Sequence, residues 1–166
     1  ELYVIDNVLY QKPVAELYQY FAQDKIQKSA YIKEDISFEG MRGECYRLLI
    51  TLENATDFTV TLRKGDKNST TISYQNGLIT FNRENSGHLI KGSKLDGNCN
   101  IRYCKTEGES KISMEIFSDN SSIELIANER YCMSNTVYPY PDCIGISFSS
   151  ASGCKADITF APFTMV

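Results

Sequence analysis

Apolar residues at every second position restrict this chain more than any other feature. From Lys111 to Tyr138, KISMEIFSDNSSIELIANERYCMSNTVY, the residues Met114, Ile116, Ile123, Leu125 and Ala127 recur with Glu115, Asp119, Ser122 and Glu124 among the polar positions between them. A helix would scatter such a series around its circumference, whereas an extended strand gathers it on one face. The stretch therefore predicts two strands around a polar turn, then a third strand after a second turn.

The same period runs through most of the chain. Tyr46, Leu48, Ile50 and Leu52 alternate with Arg47 and Thr51, and Phe58, Val60 and Leu62 alternate with Thr59, Thr61 and Arg63. Ile72 and Tyr74 lead into Asn76-Gly77, a dipeptide favoured in type I′ hairpins because both central residues need positive φ. Leu78 to Arg83 is the expected return strand. Asn85 to Gly108 reads as a long polar loop with one short strand near Ile101 to Cys104, and further strands are expected at Ile144 to Ser149 and Ala156 to Phe163. Short strands at this spacing predict an all-β fold, a two-sheet antiparallel β-sandwich of concanavalin or jelly-roll type.

The first forty residues differ. Pro13 can open a helix, and Val14, Leu17, Tyr18 and Phe21 follow at three- and four-residue spacing, which predicts a short amphipathic helix from Val14 to Gln23. Leu17, Tyr18 and Phe21 are expected to pack in the core or against another domain. Ile32, Ile36 and Phe38 read as extended chain leading into a turn between Gly40 and Gly43. The expected division is residues 1–40 as linker and helix, and 41–166 as sandwich. The Arg63-Lys64-Gly65-Asp66-Lys67 run reads as a solvated turn.

At 166 residues there is enough chain to bury a substantial core. A net charge of −4 argues against a nucleic-acid partner, which needs clustered Lys and Arg. No apolar run approaches the roughly 20 residues of a membrane-spanning helix. Glu1 stands where a full reading frame would have Met, so a piece of a longer protein is expected. Six cysteines at irregular spacing, no C-x-x-C pair and a single histidine, His88, predict mostly free, buried thiols and no metal site. If a disulfide forms, Cys99 with Cys104 is the first candidate. Without a disulfide framework the expected compartment is cytoplasmic.

Several motifs, taken in order, carry a family resemblance. LYQKPVAELYQYF, ISYQNGLITFNRENSG, the D-x-S-S-I-E core of DNSSIE, and CIGISFSSASGCKADITFAPF together span residues 9–163. This set resembles the C-terminal sandwich of glycoside hydrolase family 32, the invertases, sucrose-6-phosphate hydrolases, levanases and inulinases. Asn120, Ile126 and Glu129-Arg130 depart from the usual Arg, aromatic and Asp-Gly of that pattern. The resemblance implies an N-terminal five-bladed propeller in the same protein, carrying the nucleophilic Asp in a W-M-N-D-P-N-G stretch and the acid/base Glu in an E-C motif. This chain has no Trp and no Arg-Asp-Pro, and its Glu44-Cys45 reproduces only the dipeptide, at the start of a sandwich strand.

The resemblance thus implies a non-catalytic module that stabilises the propeller of a β-fructofuranosidase, with no cofactor. An independent lectin-like, fructan-binding module is the alternative. Expected partners are the propeller, carbohydrate and a second copy of the chain. Asp119, Ser121, Ser122 and Glu124 suit turn and packing roles, or contact with sugar or propeller. Tyr138 and Tyr140, stiffened by Pro139 and Pro141, suit capping or domain packing, or a sugar face. Asp119, Glu124, Tyr138 and Tyr140 are therefore the candidate carbohydrate or interdomain contacts, and His88 is expected as an exposed loop residue.

Overall fold

Each segment with period two folds as a strand whose apolar side turns inward. The computed structural model describes residues 1–21, 23–88 and 100–165. β1 (Leu2–Ile5) and β2 (Val8–Gln11) form a separate hairpin, followed by a 3-10 helix, Ala15–Phe21, and β3 (Ile26–Ile32). Next come β4 (Tyr46–Glu53), β5 (Asp57–Lys64), β6 (Thr70–Gln75) and β7 (Leu78–Asn82). After residues 89–99, which lie outside the described residues with Cys99 and the middle of the expected loop, β8 covers Ile101–Lys105. β9 (Lys111–Ser118), β10 (Ser122–Ala127), β11 (Tyr131–Thr136), β12 (Gly145–Ser149) and β13 (Cys154–Pro162) complete the order.

Two main antiparallel sheets face each other. One has six strands in the order β11-β10-β9-β4-β13-β3, the other five in the order β12-β5-β6-β7-β8. Inward residues of β4, Tyr46, Leu48, Ile50 and Leu52, are 0% exposed, as are Met114 and Ile116 on β9 and Ile123 on β10. They meet Phe58, Val60 and Leu62 of β5, Ile72 of β6, Phe81 of β7 and Phe148 of β12 in one continuous core. Full burial of each such side chain contributes roughly 1.5–3 kcal/mol against an exposed reference. The apolar set read from the Lys111–Tyr138 stretch is this inner face.

Turn chemistry sets the registers. Asn76 (φ 46°) and Gly77 (φ 84°) make the expected primed turn, which pairs Gln75 with Leu78. Three residues, Asn128 to Arg130, join β10 to β11; Asn128 (φ 49°) and Glu129 (φ 54°) are the central pair of a turn that the Arg130 N–H closes on the Ala127 carbonyl at 3.0 Å. Asn128 Oδ1 accepts the Ser113 N–H at 2.8 Å, which ties that turn to β9.

Three segments differ from the expectations above. The helix is a 3-10 turn over Ala15–Phe21 and not an amphipathic helix over 14–23. Three residues per turn stack Tyr18 and Phe21 on one ridge over Phe117 and leave Val14 exposed. The segment expected as linker also contributes strands, and β3 pairs along β13 as an edge of the six-stranded sheet.

The third difference is Arg63. It ends up 2% exposed inside β5, not in a solvated turn. The pairing shifts between Gly145↔Lys64 and Ser147↔Thr61, so Leu62 and Arg63 together oppose Ile146. This β-bulge, with Arg63 at φ 49°, turns two successive side chains inward. The guanidinium then donates to three carbonyls: Nε to Cys143 at 2.8 Å, and Nη1 to Glu44 at 3.2 Å and Asp119 at 3.5 Å. Three loops are thereby held at one end of the sandwich.

Another tie closes the turn between β12 and β13. The Asp57 carboxylate accepts the Ala151 N–H at 2.5 Å, the Ser152 N–H at 2.9 Å and the Ser152 and Ser150 hydroxyls. The Ser152 hydroxyl, with these N–H groups behind it, holds the Asp57 carboxyl below its ordinary value against partial burial.

Replacing Arg63 with Met strands these carbonyls, and urea unfolding should show a loss of about 3 kcal/mol. A loss under about 1 kcal/mol would mean that water replaces the guanidinium. Asp57→Asn should cost about 1 kcal/mol at pH 7, a figure already reduced for solvent screening. Because the folded state lowers the Asp57 pKa, its contribution is present above the unfolded value near 3.9 and lost as pH falls through the folded value. The wild-type and variant stability curves should therefore begin to converge below about pH 4 and meet once the pH has fallen through the lower folded value; a gap that stays constant over that range would contradict the assignment to the ionised carboxylate.

Candidate functional site

The candidate residues occupy two places. Asp119 lies in the turn between β9 and β10, where its N–H donates to the Ser122 carbonyl at 2.9 Å. Its Oδ1 accepts from the Asn120 N–H at 2.7 Å and from the Cys45 thiol at 3.4 Å. Burial first, then the nearby Asp119 carboxylate, pushes the Cys45 thiol pKa up. Such a thiol is less available as thiolate. Glu44, its neighbour in the E-C dipeptide, lies 3.9 Å from the buried Arg63 guanidinium, in the bend two residues before β4.

Tyr138 and Tyr140 lie near the same end. The Val137 N–H donates to the Ser121 carbonyl at 2.9 Å, so the exit of β11 runs beside the Asp119 turn. The Tyr138 carbonyl accepts the His88 N–H at 2.9 Å, and the His88 ring meets the Tyr140 ring edge-on at 4.5 Å. A Cβ on Gly87 would come within 2.3 Å of the Tyr138 carbonyl oxygen, so only glycine allows this approach. Tyr138 and Tyr140 remain 45% and 38% exposed, with their backbones pinned and their rings open on one side.

Glu124 faces elsewhere, on the outer side of the six-stranded sheet. Its Oε1 accepts the Ser134 hydroxyl across β10 and β11 at 2.8 Å. Together with Phe117, Cys132, Lys12, Gln11 and Leu17 it lines a cleft of about 530 Å3 between that sheet and the N-terminal segment. Burial, with Cys104 and Glu124 adding to it, pushes the Cys132 pKa up to about 11.

The floor beside this cleft carries a network that alternation alone does not reveal. Arg47 Nε donates to Glu115 Oε1 at 2.5 Å, the Tyr18 hydroxyl donates to Glu115 Oε2 at 3.2 Å, and the guanidinium stacks 4.9 Å from the Tyr18 ring centre. Arg47 and Glu115 side chains are only 15% and 13% exposed. Their sequence signal is weak: two charged residues at outward strand positions, brought opposite Phe117 and Leu49 by the register of β4 with β9. Burial and Glu115 push the Tyr18 phenol up to about 12.

The structure thus brings Asp119, Tyr138 and Tyr140 to one end and places Glu124 in the outer cleft. Asp119 and Glu124 are each committed to local thiol, amide or hydroxyl donors. Among the described residues, no group of three or more His, Cys, Asp or Glu side chains is placed to hold a metal ion.

Comparison with known proteins assigns this architecture. The family model described as glycosyl hydrolases family 32 C terminal matches residues 16–165. A sucrose-6-phosphate hydrolase of Zymomonas mobilis is 28% identical over an alignment of 179 residues that takes in 99% of this chain and 33% of the relative. The exo-inulinase of Aspergillus awamori superposes with a TM-score of 0.80 at 16% identity, covering 98% of this chain and 34% of that one. The sucrose-6-phosphate hydrolase of Lactobacillus gasseri gives 0.78 at 19% identity, with 98% and 32% covered. The chain spans about a third of the length of the curated relatives it matches. By a match that runs through nearly all of its sequence, the chain belongs to the C-terminal domain family of the family 32 glycosyl hydrolases.

Proposed function

We propose that the chain is the non-catalytic sandwich of a β-fructofuranosidase and that it stabilises an N-terminal five-bladed propeller. That propeller would hydrolyse terminal β-fructosyl bonds of sucrose, sucrose 6-phosphate or a fructan. The observation that carries this reading is membership of the C-terminal family across residues 16–165, in a chain with about a third of its relatives' length.

Side-chain chemistry supports it. Retaining glycoside hydrolysis uses two carboxyl groups roughly 5–5.5 Å apart, one of them with a raised pKa so that it can donate a proton. Asp119 and Glu124 instead serve the turn and the strand pair that hold them. The network of Arg47, Glu115 and Tyr18 outside the core gives the sandwich a firm outer surface on its N-terminal side. A second copy of the chain is a further proposed partner.

The alternative, a fructan-binding module, is favoured by the outer cleft, where Glu124, Lys12 and Gln11 offer polar groups to a ligand. We also infer a cytoplasmic, reducing setting. Cys45, Cys104, Cys132, Cys143 and Cys154 are free thiols, and the irregular cysteine spacing suits that state.

The purified chain should release no fructose from sucrose, sucrose 6-phosphate or inulin, while the full-length protein should release it. Turnover by the chain alone would overturn the reading. Calorimetric titration of the full-length protein and of a Glu124→Ala variant with levan and inulin separates the alternative: saturable binding that is lost on substitution would favour the module. A thiol titration in denaturant without reductant should count six thiols per chain, matching the six cysteines of the sequence. Two fewer would indicate a disulfide and a secreted protein.

A further inference from the structure

We propose that the outer face of the five-stranded sheet binds an uncharged polysaccharide chain, along two rows of mostly hydroxyl side chains, one of which ends at Tyr103. The site is distinct from the cleft beside Glu124 and does not depend on the activity proposed above.

Strand register builds the rows. Ser149, Thr59, Ser73, Thr80 and Tyr103 stand side by side across β12, β5, β6, β7 and β8. Two positions along each strand, Ser147, Thr61, Thr71, Asn82 and Ile101 repeat the arrangement. The residues between them, among them Phe58, Val60, Ile72, Phe81 and Phe148, are buried in the core, so both rows stand on the outer face. Neighbouring strands lie about 4.8 Å apart and alternate residues about 6.7 Å apart, which gives a grid on the scale of a single sugar ring.

None of these ten positions is charged, in a chain where 23% of residues are. Strand propensity accounts for the threonines, since a β-branched side chain suits a pleated surface. It does not account for the missing charge. Outward positions of the six-stranded sheet carry Arg47, Glu115, Glu124, Lys155 and Asp157. The N-terminal segment also lies against that sheet, and the five-stranded sheet turns its outer face to the other side.

The hydroxyls are available. Lys64 Nζ donates to the Ser147 hydroxyl at 3.0 Å, and Asn82 Oδ1 accepts the Glu84 N–H at 2.8 Å. Among the described residues, the hydroxyls of Thr59, Thr61, Thr71, Ser73, Thr80 and Ser149 have no protein partner. Each can both donate and accept, as a sugar hydroxyl can. An ionised ligand would meet no counter-charge in the grid, whereas a neutral polyhydroxylated chain matches its donors and acceptors. Tyr103, 65% exposed on the edge strand, adds a ring face for the C–H groups of a sugar, with Leu78, 38% exposed, diagonally beside it.

Surface plasmon resonance of the full-length protein over immobilised levan, inulin, dextran and polygalacturonate tests the assignment. At least one of the three neutral polymers should bind saturably and polygalacturonate should not. Binding should persist at about 1 M salt, where the Debye length is about 3 Å. Tyr103→Ala, and separately the near-isosteric Thr59→Val/Thr80→Val, should each raise Kd about tenfold. Tyr31→Ala, at a 62% exposed site on the other sheet, should leave Kd unchanged. If the double variant fails to accumulate, Tyr103→Ala decides, because that side chain is mostly outside the fold. Absence of saturable binding to all three neutral polymers would overturn the proposal, as would binding that salt abolishes. Binding lost in Glu124→Ala but kept in Tyr103→Ala would place the ligand in the outer cleft and would also overturn it.

Discussion

The burial of one face of β4 is the constraint on which the rest of the sandwich depends. Tyr46, Leu48, Ile50 and Leu52 lie at 0% exposure, and β4 pairs with β9 on one side and β13 on the other. A one-residue slip would turn every one of these side chains outward, so their burial fixes the register of all three strands. The five-stranded sheet then has a single way to close over them, through Phe58, Val60, Ile72 and Phe81. Loops at the sandwich ends inherit their positions from that choice. So does the outer surface, where Arg47 and Glu115 pair because β4 and β9 are locked.

Alternation made the core legible. Wherever side chains switched faces at every residue, as in Lys111–Ser118 or Tyr46–Glu53, burial followed the pattern position by position. Arg63 escaped because a bulge breaks the period, and nothing in the residue type announces that a guanidinium will satisfy three backbone carbonyls. β1 and β2 escaped for a different reason: apolar residues such as Leu2, Val4 and Ile5 show no clean alternation, since neither side of this hairpin is fully buried. β3 reads as nearly polar because an edge strand needs only Ile32 fully inside. The helix type is not legible in the sequence, because spacing over so short a run suits three or 3.6 residues per turn alike.

The candidate site was less legible than the fold. The motif around Asp119 and Glu124 carried the family resemblance, but the separation of its two carboxylates needs the fold: the turn takes Asp119 and the outer strand face takes Glu124. Tyr138 and Tyr140 join Asp119 through a single backbone bond between Val137 and Ser121, a long-range contact that no local spacing encodes. Glu129 reads as a simple departure from the family's usual turn. Its bonds to Tyr3 and Gln11 need the hairpin, which folds back from more than a hundred positions earlier in the sequence.

The place of β13 in its sheet has a consequence for biosynthesis. Cys154–Pro162 sits between β3 and β4 and pairs with both, so two strands from the first third of the chain remain unbridged until these residues leave the ribosome. Translation therefore delivers the sandwich as an unclosed sheet for almost its whole length, with β3 and β4 exposing edges that can pair with other chains.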